Sequence, residues 1–150
     1  MDLSALQPLL SAVHGAKVAC VGDLMIDRYV YGEVGRVSPE APIPVLLRTS
    51  EQMMLGGVGN VARNVAGLGG RAALVGLIGS DSAGHEATDL IGQDAGLEGL
   101  LVVDQSRPTT VKTRFVASGQ QLLRLDAERS SEADKDIQAR LSRAVEDAAE

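Results

Sequence analysis

Cysteine, histidine and long apolar runs are scarce in this sequence of 150 residues, and each scarcity excludes a class of protein. The single cysteine, Cys20, excludes a disulfide framework within the chain, so we expect a buried, reduced thiol in a cytoplasmic protein. No apolar stretch approaches the ~20 residues of a membrane-spanning helix, and residues 1–15 lack the basic region of a secretory signal. His14 and His85 have no partners at metal-ligand spacing, so the sequence predicts no metal site.

Excess basic charge is also missing, because the formal net charge is -6. That balance argues against a broad nucleic-acid surface, although a local basic pocket stays open. An apolar content of 45% is typical of a globular domain with a real core. We therefore expect residues 1–150 to form part of one domain that binds neither nucleic acid nor a membrane.

Hydrophobic periodicity predicts alternating helices and strands, the pattern of an α/β domain with a largely parallel sheet. A helix is expected over residues 3–13, with Pro8 confining its start and Gly15 ending it. A last helix is expected from Ser131 as its N-cap, with Asp134 in a capping-box position. Between them the sequence predicts strands at 17–26, 71–79 and 100–103, helices at 60–68 and 84–93, and a hairpin of 109–117 with 121–126 around Ser118-Gly119.

The segment Tyr29 to Thr49 departs from this alternation because it contains three prolines, Pro39, Pro42 and Pro44. Proline cannot donate to a strand ladder and favours extended geometry in the residue before it. We expect an extended, edge-like excursion from the main sheet, and neither a helix nor a central strand.

Glycines crowd the start of the second predicted helix, in the run Gly56-Gly57-Val58-Gly59-Asn60. Glycine lets the backbone approach a ligand closely, and a helix N-terminus carries unpaired N–H groups. We interpret the run as a ligand-facing turn, in which Asn60 caps the helix or offers its amide to a hydroxylated ligand. A tight turn with close helix packing is the alternative. Helix termination is the favoured role of the later glycines, 67, 69 and 70.

Two carboxylates, Asp23 and Asp27, are predicted at the C-terminal end of the first strand, where open α/β sheets bind ligands. There they could accept hydrogen bonds from sugar hydroxyls, or they could simply cap a turn. The spacing Gly57-x-Gly59-x-x-Ala62 also matches a dinucleotide-binding motif, but residues 50–54 make a poor preceding strand. No phosphate-binding loop of the G-x-x-x-x-G-K-[ST] type occurs.

Together these motifs resemble the ribokinase-like (PfkB) carbohydrate kinases over about residues 17–128. The matching pieces are Gly22-Asp23 with Asp27, Gly56-Gly57-x-x-Asn60-x-Ala62, Gly79-x-Asp81-x-x-Gly84 and Gln121-x-x-Arg124-x-Asp126. Within that family the sequence is most similar to the heptose 7-phosphate kinases of lipopolysaccharide-core synthesis. GDLMIDRYVYG (22–32), RVSPEAPIPV (36–45) and QQLLRLDAE (120–128) carry that likeness.

The resemblance implies a ribokinase-like fold with a small β lid, formed by about residues 29–49 and 109–126, that covers the sugar and often mediates dimerisation. It implies phosphoryl transfer from ATP with Mg to an anomeric hydroxyl. It also implies that the second half of the kinase domain, with the catalytic base and most of the ATP site, is not in these residues. No catalytic or metal-binding residue is therefore assigned to this chain, which we expect to be inactive alone. The sugar-binding residues that the resemblance implies are Asp27, Gly56, Gly57, Asn60 and Gln121.

A phosphorylated sugar would need cationic donors, and the candidates are Arg36, Lys112, Arg114 and Arg124. Lys112 and Arg114 alternate onto one face of their predicted strand. Charge-assisted hydrogen bonds contribute about 1.5–3 kcal/mol each, so two of them could select a sugar phosphate over a plain sugar. Each could equally be a solvated strand residue.

Three other functions stay open from the sequence. The first is a different sugar or nucleoside kinase of the same fold, which the SPEAP segment (38–42) disfavours. The second is a non-catalytic module that binds a sugar phosphate. A dinucleotide-binding domain is a distant third.

Overall fold

A computed structural model describes residues 6–150, and within them seven strands form two separate sheets. Leu3, expected in the first helix, lies outside the described residues. The helices are α1 (Gln7–Val13), α2 (Val58–Gly67), α3 (Ser82–Gly92) and α4 (Lys135–Ala148). The strands are β1 (Lys17–Val21), β2 (Leu24–Val37), β3 (Pro44–Gly57), β4 (Arg71–Ile78), β5 (Leu97–Val103), β6 (Thr110–Ala117) and β7 (Gln120–Ala127).

The first sheet is three-stranded, entirely parallel, and has the order β1-β4-β5. Its central strand β4 is the most buried, with Leu74 and Val75 fully inaccessible to solvent. Helices α2, α3 and α4 pack on this sheet, and apolar residues of α2 and α3 join its core. The predicted apolar stripe of α4 is confirmed in part, because Ile137 is buried whereas Val145 is 37% exposed.

The second sheet has four strands in the order β3-β2-β6-β7. Strand β2 runs parallel to β6 and antiparallel to β3, and β6 runs antiparallel to β7. Three of the five strand pairings in the described residues are therefore parallel. The predicted α/β class with a largely parallel sheet is confirmed. Both expected lid segments, 29–49 and 109–126, fall in this second sheet.

The prediction of one strand over residues 17–26 is wrong. The strand ends at Val21 and a second strand begins at Leu24, after Gly22-Asp23. Strand β1 therefore belongs to the first sheet and β2 to the second. The Asp23 carbonyl accepts a hydrogen bond from the Val58 amide at 3.0 Å, and Gly22 donates to the Val75 carbonyl. These bonds turn the chain out of one sheet and into the other. Asp27 consequently lies inside β2, as its fourth residue, and not at the end of the first strand as expected.

The prolines also mislead about residues 29–49. Pro39 and Pro42 lie in the turn between β2 and β3, and Pro44 is the first residue of β3, a position where proline is tolerated. Strand β2 is thus free of proline and, up to Gly32, lies inside the sheet between β3 and β6, which contradicts the expectation of an edge-like segment there. Strand β3, which contains residues 44–49, is an edge strand as expected. Val30 of β2 is buried, at 9% exposure.

Helix boundaries differ from the sequence prediction in two places. Helix α4 begins at Lys135 with Asp134 at its N-cap, so Ser131 is not the cap, and Asp134 makes no capping hydrogen bond through its side chain. In α2 the N-cap position is Gly57, and Asn60 is the third helical residue and not a cap. The cap of α3 is Asp81, whose side chain accepts from the Gly84 amide.

Three local predictions are confirmed. Ser118 and Gly119 form the turn of the β6–β7 hairpin with positive φ angles of 50° and 76°. Cys20 is a buried free thiol, and burial raises its pKa. Helix α2 ends at Gly67, and Gly69 follows with a φ of 85°. Among residues 6–150, no helix is long and apolar enough to cross a membrane.

Candidate functional site

Alternation along the second sheet gathers charged side chains on one surface, which we call the polar face. Side chains on neighbouring strands that are in register share a face, and every second residue returns to it. In the pairing of β2 with β6, Asp27 lies opposite Lys112 and Tyr29 opposite Arg114. In the pairing of β6 with β7, these two cations lie opposite Asp126 and Arg124. The polar face comprises Asp27, Tyr29, Tyr31, Lys112, Arg114, Arg124 and Asp126.

The glycine turn borders this face where β3 ends and α2 begins. A Cβ on Gly56 would overlap the carboxylate of Asp27 and lie 2.9 Å from Met25 Cγ. Gly57 has a φ of 56°, and a Cβ there would overlap the Asp23 carbonyl oxygen. Both glycines therefore permit close approach, Gly56 of a side chain and Gly57 of backbone. The alternative of helix packing applies to Gly59, because a Cβ there would lie 2.8 Å from both Leu24 and Leu55.

Asp27 is held in place by two neighbours. Its Oδ1 accepts a short hydrogen bond from Arg114 Nη1, and its Oδ2 lies against Gly56. The side chains of Asp27 and Arg114 are 19% and 21% exposed, so water reaches both. The Asp27 carboxylate raises the pKa of Arg114, which fixes the guanidinium as a cation. A half-buried, oriented carboxylate of this kind can accept hydrogen bonds from a polyol.

Asn60 is exposed on the first turn of α2, one turn beyond Gly57. Its backbone carbonyl accepts a hydrogen bond from Asn64 Nδ2 at 2.9 Å. Since the side chain does not cap the helix, its amide is available to a ligand at the helix N-terminus.

The predicted phosphate donors Lys112 and Arg124 both face carboxylates. Lys112 Nζ lies 3.1 Å from Asp126 and 3.0 Å from Glu128, and these partners raise the pKa of Lys112. Arg124 makes a bidentate contact with Asp126, in which Nε donates to Oδ1 at 2.8 Å and Nη2 donates to Oδ2 at 2.9 Å. Arg124 and then Lys112 together lower the pKa of Asp126, so this cluster stays charged at neutral pH. A phosphate would have to compete with these carboxylates.

Two candidates lie apart from this cluster. Arg36 is paired with Val45 near the far end of β2, nine residues beyond Asp27, which corresponds to about 30 Å of extended strand. Gln121 lies opposite Val116, beside the hairpin turn, and is exposed. The structure therefore brings together Asp27, Gly56, Gly57, Lys112, Arg114 and Arg124, but not Arg36 or Gln121.

Two cavities lie near the end of β1 and the start of β2, and both are bordered by Asp23 and Met25. One is an open cleft of about 630 Å³ that reaches Gly57 and Val58. The other, of about 430 Å³, is more polar. It is lined by residues that include Thr110, Lys112, Arg107, Arg129 and Glu128. Of the predicted site residues, Gly57 and Lys112 line these cavities, whereas Asp27, Gly56, Asn60 and Arg114 line neither.

Sequence reasoning missed Arg107 and Arg129 as cavity residues. Both lie in irregular segments, where no periodicity assigns a side chain to a face. Arg107 Nε donates to Asp104 Oδ2 at 2.8 Å, and Arg129 Nη1 donates to the Ser106 carbonyl. The only available signal was their position just outside the predicted hairpin.

A buried hydrogen-bond group joins α3 to the start of β6 and so fixes one wall of the site. Thr109 is 1% exposed, and its Oγ1 donates to Asp81 Oδ1 at 2.6 Å and accepts from the Gly79 amide at 2.8 Å. Burial tends to raise the pKa of Asp81, but hydrogen bonds from Thr109 and Gly84 outweigh it and lower the pKa. The Gly79-x-Asp81-x-x-Gly84 motif is thus part of this anchor.

Replacing Thr109 with valine is expected to destabilise the chain by about 1–3 kcal/mol, because the Gly79 amide and Asp81 each lose a buried partner. Urea unfolding followed by circular dichroism measures this loss as a lower midpoint with an unchanged slope. Thr113→Val, half-buried within β6, is the matched control. Equal midpoints for the two variants would contradict the anchoring role of Thr109.

The described residues contain no group of three or more His, Cys, Asp or Glu side chains placed to hold a metal ion. We therefore assign no metal ligand within residues 6–150. The chemistry that the site can perform is hydrogen bonding and orientation of a hydroxylated, anionic ligand.

The chain is similar to several known proteins. The chain is 49% identical over 145 residues to the bifunctional protein HldE of Paramagnetospirillum magneticum, covering 97% of this chain and 30% of that protein. The chain thus spans about a third or less of the curated relatives it matches. Among solved structures, a carbohydrate kinase from Agrobacterium tumefaciens superposes with a TM-score of 0.65 at 27% identity, over 89% of this chain and 42% of that one. A fructokinase with bound ATP from Xylella fastidiosa gives 0.53 at 26% identity, over 74% and 33%.

These similarities extend to a family model. The model that describes pfkB family carbohydrate kinases matches residues 16–149, nearly the whole chain. The fold of the solved relatives and the family match agree with one another. This chain belongs to the pfkB family of carbohydrate kinases.

Proposed function

We propose that this chain forms the sugar-binding part of an ATP-dependent kinase that phosphorylates heptose 7-phosphate at its anomeric hydroxyl. The product would be heptose 1,7-bisphosphate, used in ADP-heptose and lipopolysaccharide-core synthesis in the cytoplasm. The carboxylate of Asp27, held between Arg114 and Gly56 beside the glycine turn, is the observation that carries the proposal. The HldE relatives and the SPEAP segment support heptose over other sugars.

In this proposal the residues of the chain bind and orient the sugar. Asp27 accepts hydrogen bonds from hydroxyl groups, and the Asn60 amide can both donate and accept. The glycine turn brings the backbone of Gly56 and Gly57 close to the sugar ring. ATP with Mg supplies the phosphoryl group when bound. The bound ATP of the related fructokinase supports that cofactor, but no residue described here is assigned to it.

The charged cluster of the polar face would recognise the phosphate of the sugar. Lys112 and Arg124 are the proposed donors there, with Arg36 and Gln121 as more distant candidates. Because Lys112 already contacts Asp126 and Glu128, binding of a phosphate would require these carboxylates to turn away. Charge-assisted hydrogen bonds of about 1.5–3 kcal/mol each can offset that rearrangement.

The proposal is tested with a chimaeric kinase, in which this chain replaces the matching segment of the Paramagnetospirillum HldE protein. We expect the chimaera to form a heptose bisphosphate from ATP and heptose 7-phosphate, and to act poorly on fructose 6-phosphate and ribose. The 150-residue chain alone is expected to bind the sugar without turnover. Preference of the chimaera for another sugar would contradict the heptose assignment. Turnover by the chain alone would contradict its role as the sugar-binding part.

We also propose that the second sheet forms a lid and that its apolar face joins two copies of the chain. Leu123 and Leu125 on β7 alternate with the polar residues and are 60% and 58% exposed, and Phe115 lies opposite Leu123. Exposed apolar patches on a sheet often mark an interface. Leu123→Glu is expected to convert a dimer to a monomer in sedimentation velocity, whereas Gln52→Glu, at an exposed position of β3 opposite Tyr29 on the polar face, should not. A parent chain that stays monomeric at high concentration would contradict this interface.

A further inference from the structure

The guanidinium of Arg114 is held by two residues of β2. Nη1 donates to Asp27 Oδ1, and Cζ lies 5.2 Å from the centre of the Tyr29 ring. Tyr29 in turn stacks on Tyr31, with 6.2 Å between ring centres and 15° between ring planes. An anion and an aromatic surface together fix both the position and the plane of the guanidinium.

The two cations of β6 turn in opposite directions. Lys112 lies directly opposite Asp27 in register, yet its ammonium group contacts Asp126 and Glu128. Arg114 lies opposite Tyr29, yet it reaches back along β2 to Asp27. The cation nearest Asp27 in register is therefore used elsewhere, and the carboxylate is oriented by a more distant arginine with a rigid fork of donors.

Gly56 completes the arrangement from the other side. Asp27 Oδ2 occupies the space that a Cβ at Gly56 would fill, so the carboxylate lies close to the backbone of β3 at Gly56. Arg114 on one oxygen and the Gly56 backbone beside the other restrict rotation of the carboxyl group. Because the Asp27 side chain already has this orientation, binding of a ligand to it does not have to restrict side-chain rotation. The entropic cost of binding is therefore lower.

We infer that Arg114 is a positioning residue, which orients the Asp27 carboxylate for the hydroxyl groups of the sugar and does not bind the phosphate. This inference rests on the proposed function. Arg114 could reach a phosphate only with the guanidinium N–H groups that do not face Asp27, and the phosphate dianion would then lie close to the Asp27 carboxylate. The pair instead favours a neutral polyol at Asp27 and leaves phosphate recognition to other cations.

The first test measures the pair without any ligand. Urea unfolding of the 150-residue chain is compared for Asp27→Asn, Arg114→Met and the double variant. We expect strong coupling between the two residues. The factor by which the double variant changes the unfolding equilibrium constant should be at least about fivefold smaller than the product of the two single-variant factors. Arg48→Met, which removes an exposed strand arginine, should combine with Asp27→Asn multiplicatively. Multiplicative effects for Asp27 and Arg114 would overturn the inference. Arg114→Lys replaces Arg114→Met if the latter does not fold.

The second test separates positioning from phosphate binding. In the chimaeric kinase, Arg114→Met is expected to lower kcat/KM about ten- to hundredfold for heptose 7-phosphate and by the same factor for heptose without phosphate. Where heptose turns over too slowly, dissociation constants replace kcat/KM. Arg114→Lys should restore part of the loss for both sugars. A loss confined to the phosphorylated sugar would overturn the inference. A parent chimaera inactive on both sugars would contradict the proposed function, and the coupling measured by unfolding then decides the inference.

Discussion

Replacing Asp27 with asparagine is expected to reduce kcat/KM for the sugar about ten- to hundredfold in the chimaeric kinase. Asparagine keeps the shape of the side chain but places a donor where an acceptor of hydroxyl protons is needed. The change also leaves Arg114 without its carboxylate partner. The apparent KM for ATP should stay close to that of the parent, because this region of the polar face is assigned to the sugar.

The same kinetics distinguish Asn60 from its neighbour in the helix. Asn60→Ala is expected to raise the KM for the sugar, by less than Asp27→Asn does, since a neutral hydrogen bond contributes less than a charged one. Asn64→Ala is the matched control, because Asn64 is exposed one turn further along α2 and bonds only to the Asn60 carbonyl among the contacts described. Steady-state measurements with each substrate varied in turn provide the comparison. A rise in the KM for ATP with an unchanged KM for the sugar would assign the glycine turn to the nucleotide instead.

Local patterns predicted most of the elements, because helix and strand periods and turn residues act within a few positions. The hairpin of β6 and β7 was predicted from Ser118-Gly119, and α2 was predicted to within two residues of its start. The break at Gly22-Asp23 was not predicted, because an uninterrupted apolar run has the same appearance whether it serves one sheet or two. The turn depends on hydrogen bonds from Val58 to Asp23 and from Gly22 to Val75, which join residues far apart in the sequence.

Strand β2 shows how composition can mislead. The prolines that favour an edge-like segment lie in the turn after β2 or at the first position of β3. Residues 50–54, judged a poor strand, belong to β3 and lead directly into the glycine turn. The dinucleotide-binding alternative still fails, for a different reason. That motif requires a βαβ unit within one parallel sheet, whereas β3 and β4 belong to different sheets.

The residue types of the site were predictable, but the partner of each charge was not. Asp27 and the glycines were identified from their chemistry, and the structure places them in contact. Arg114 was expected to bind a phosphate, yet its partner is a carboxylate on the parallel strand β2, 87 residues earlier. Register between distant strands decides such pairs, and a single sequence does not specify that register. Arg36 was grouped with the other cations for its charge alone, and the length of β2 separates it from them.

Replacing Gly57 with alanine is expected to destabilise the chain by about 2–3 kcal/mol, since its φ of 56° disfavours any residue with a Cβ and the added atom would overlap the Asp23 carbonyl. The overlap is with backbone that also accepts the Val58 amide, so the turn into α2 has to move. Gly67→Ala, at the open end of the same helix with no atom within 4 Å, should instead stabilise by up to about 1 kcal/mol. Urea midpoints of the two variants measure the contrast.

Gly56→Ala separates the structural role of the turn from its role in binding. Its Cβ would overlap the Asp27 carboxylate, a side chain that can rotate away, so we expect a folded chain in which that carboxylate is displaced. The KM for the sugar should then rise at least about tenfold in the chimaera, as it does when one hydrogen bond to a charged group is lost, while the urea midpoint falls less than in Gly57→Ala. Gly35→Ala, in the far half of β2 with open space around it, is the control. If Gly56→Ala binds the sugar as the parent does, the close approach of Asp27 to the glycine turn serves packing alone.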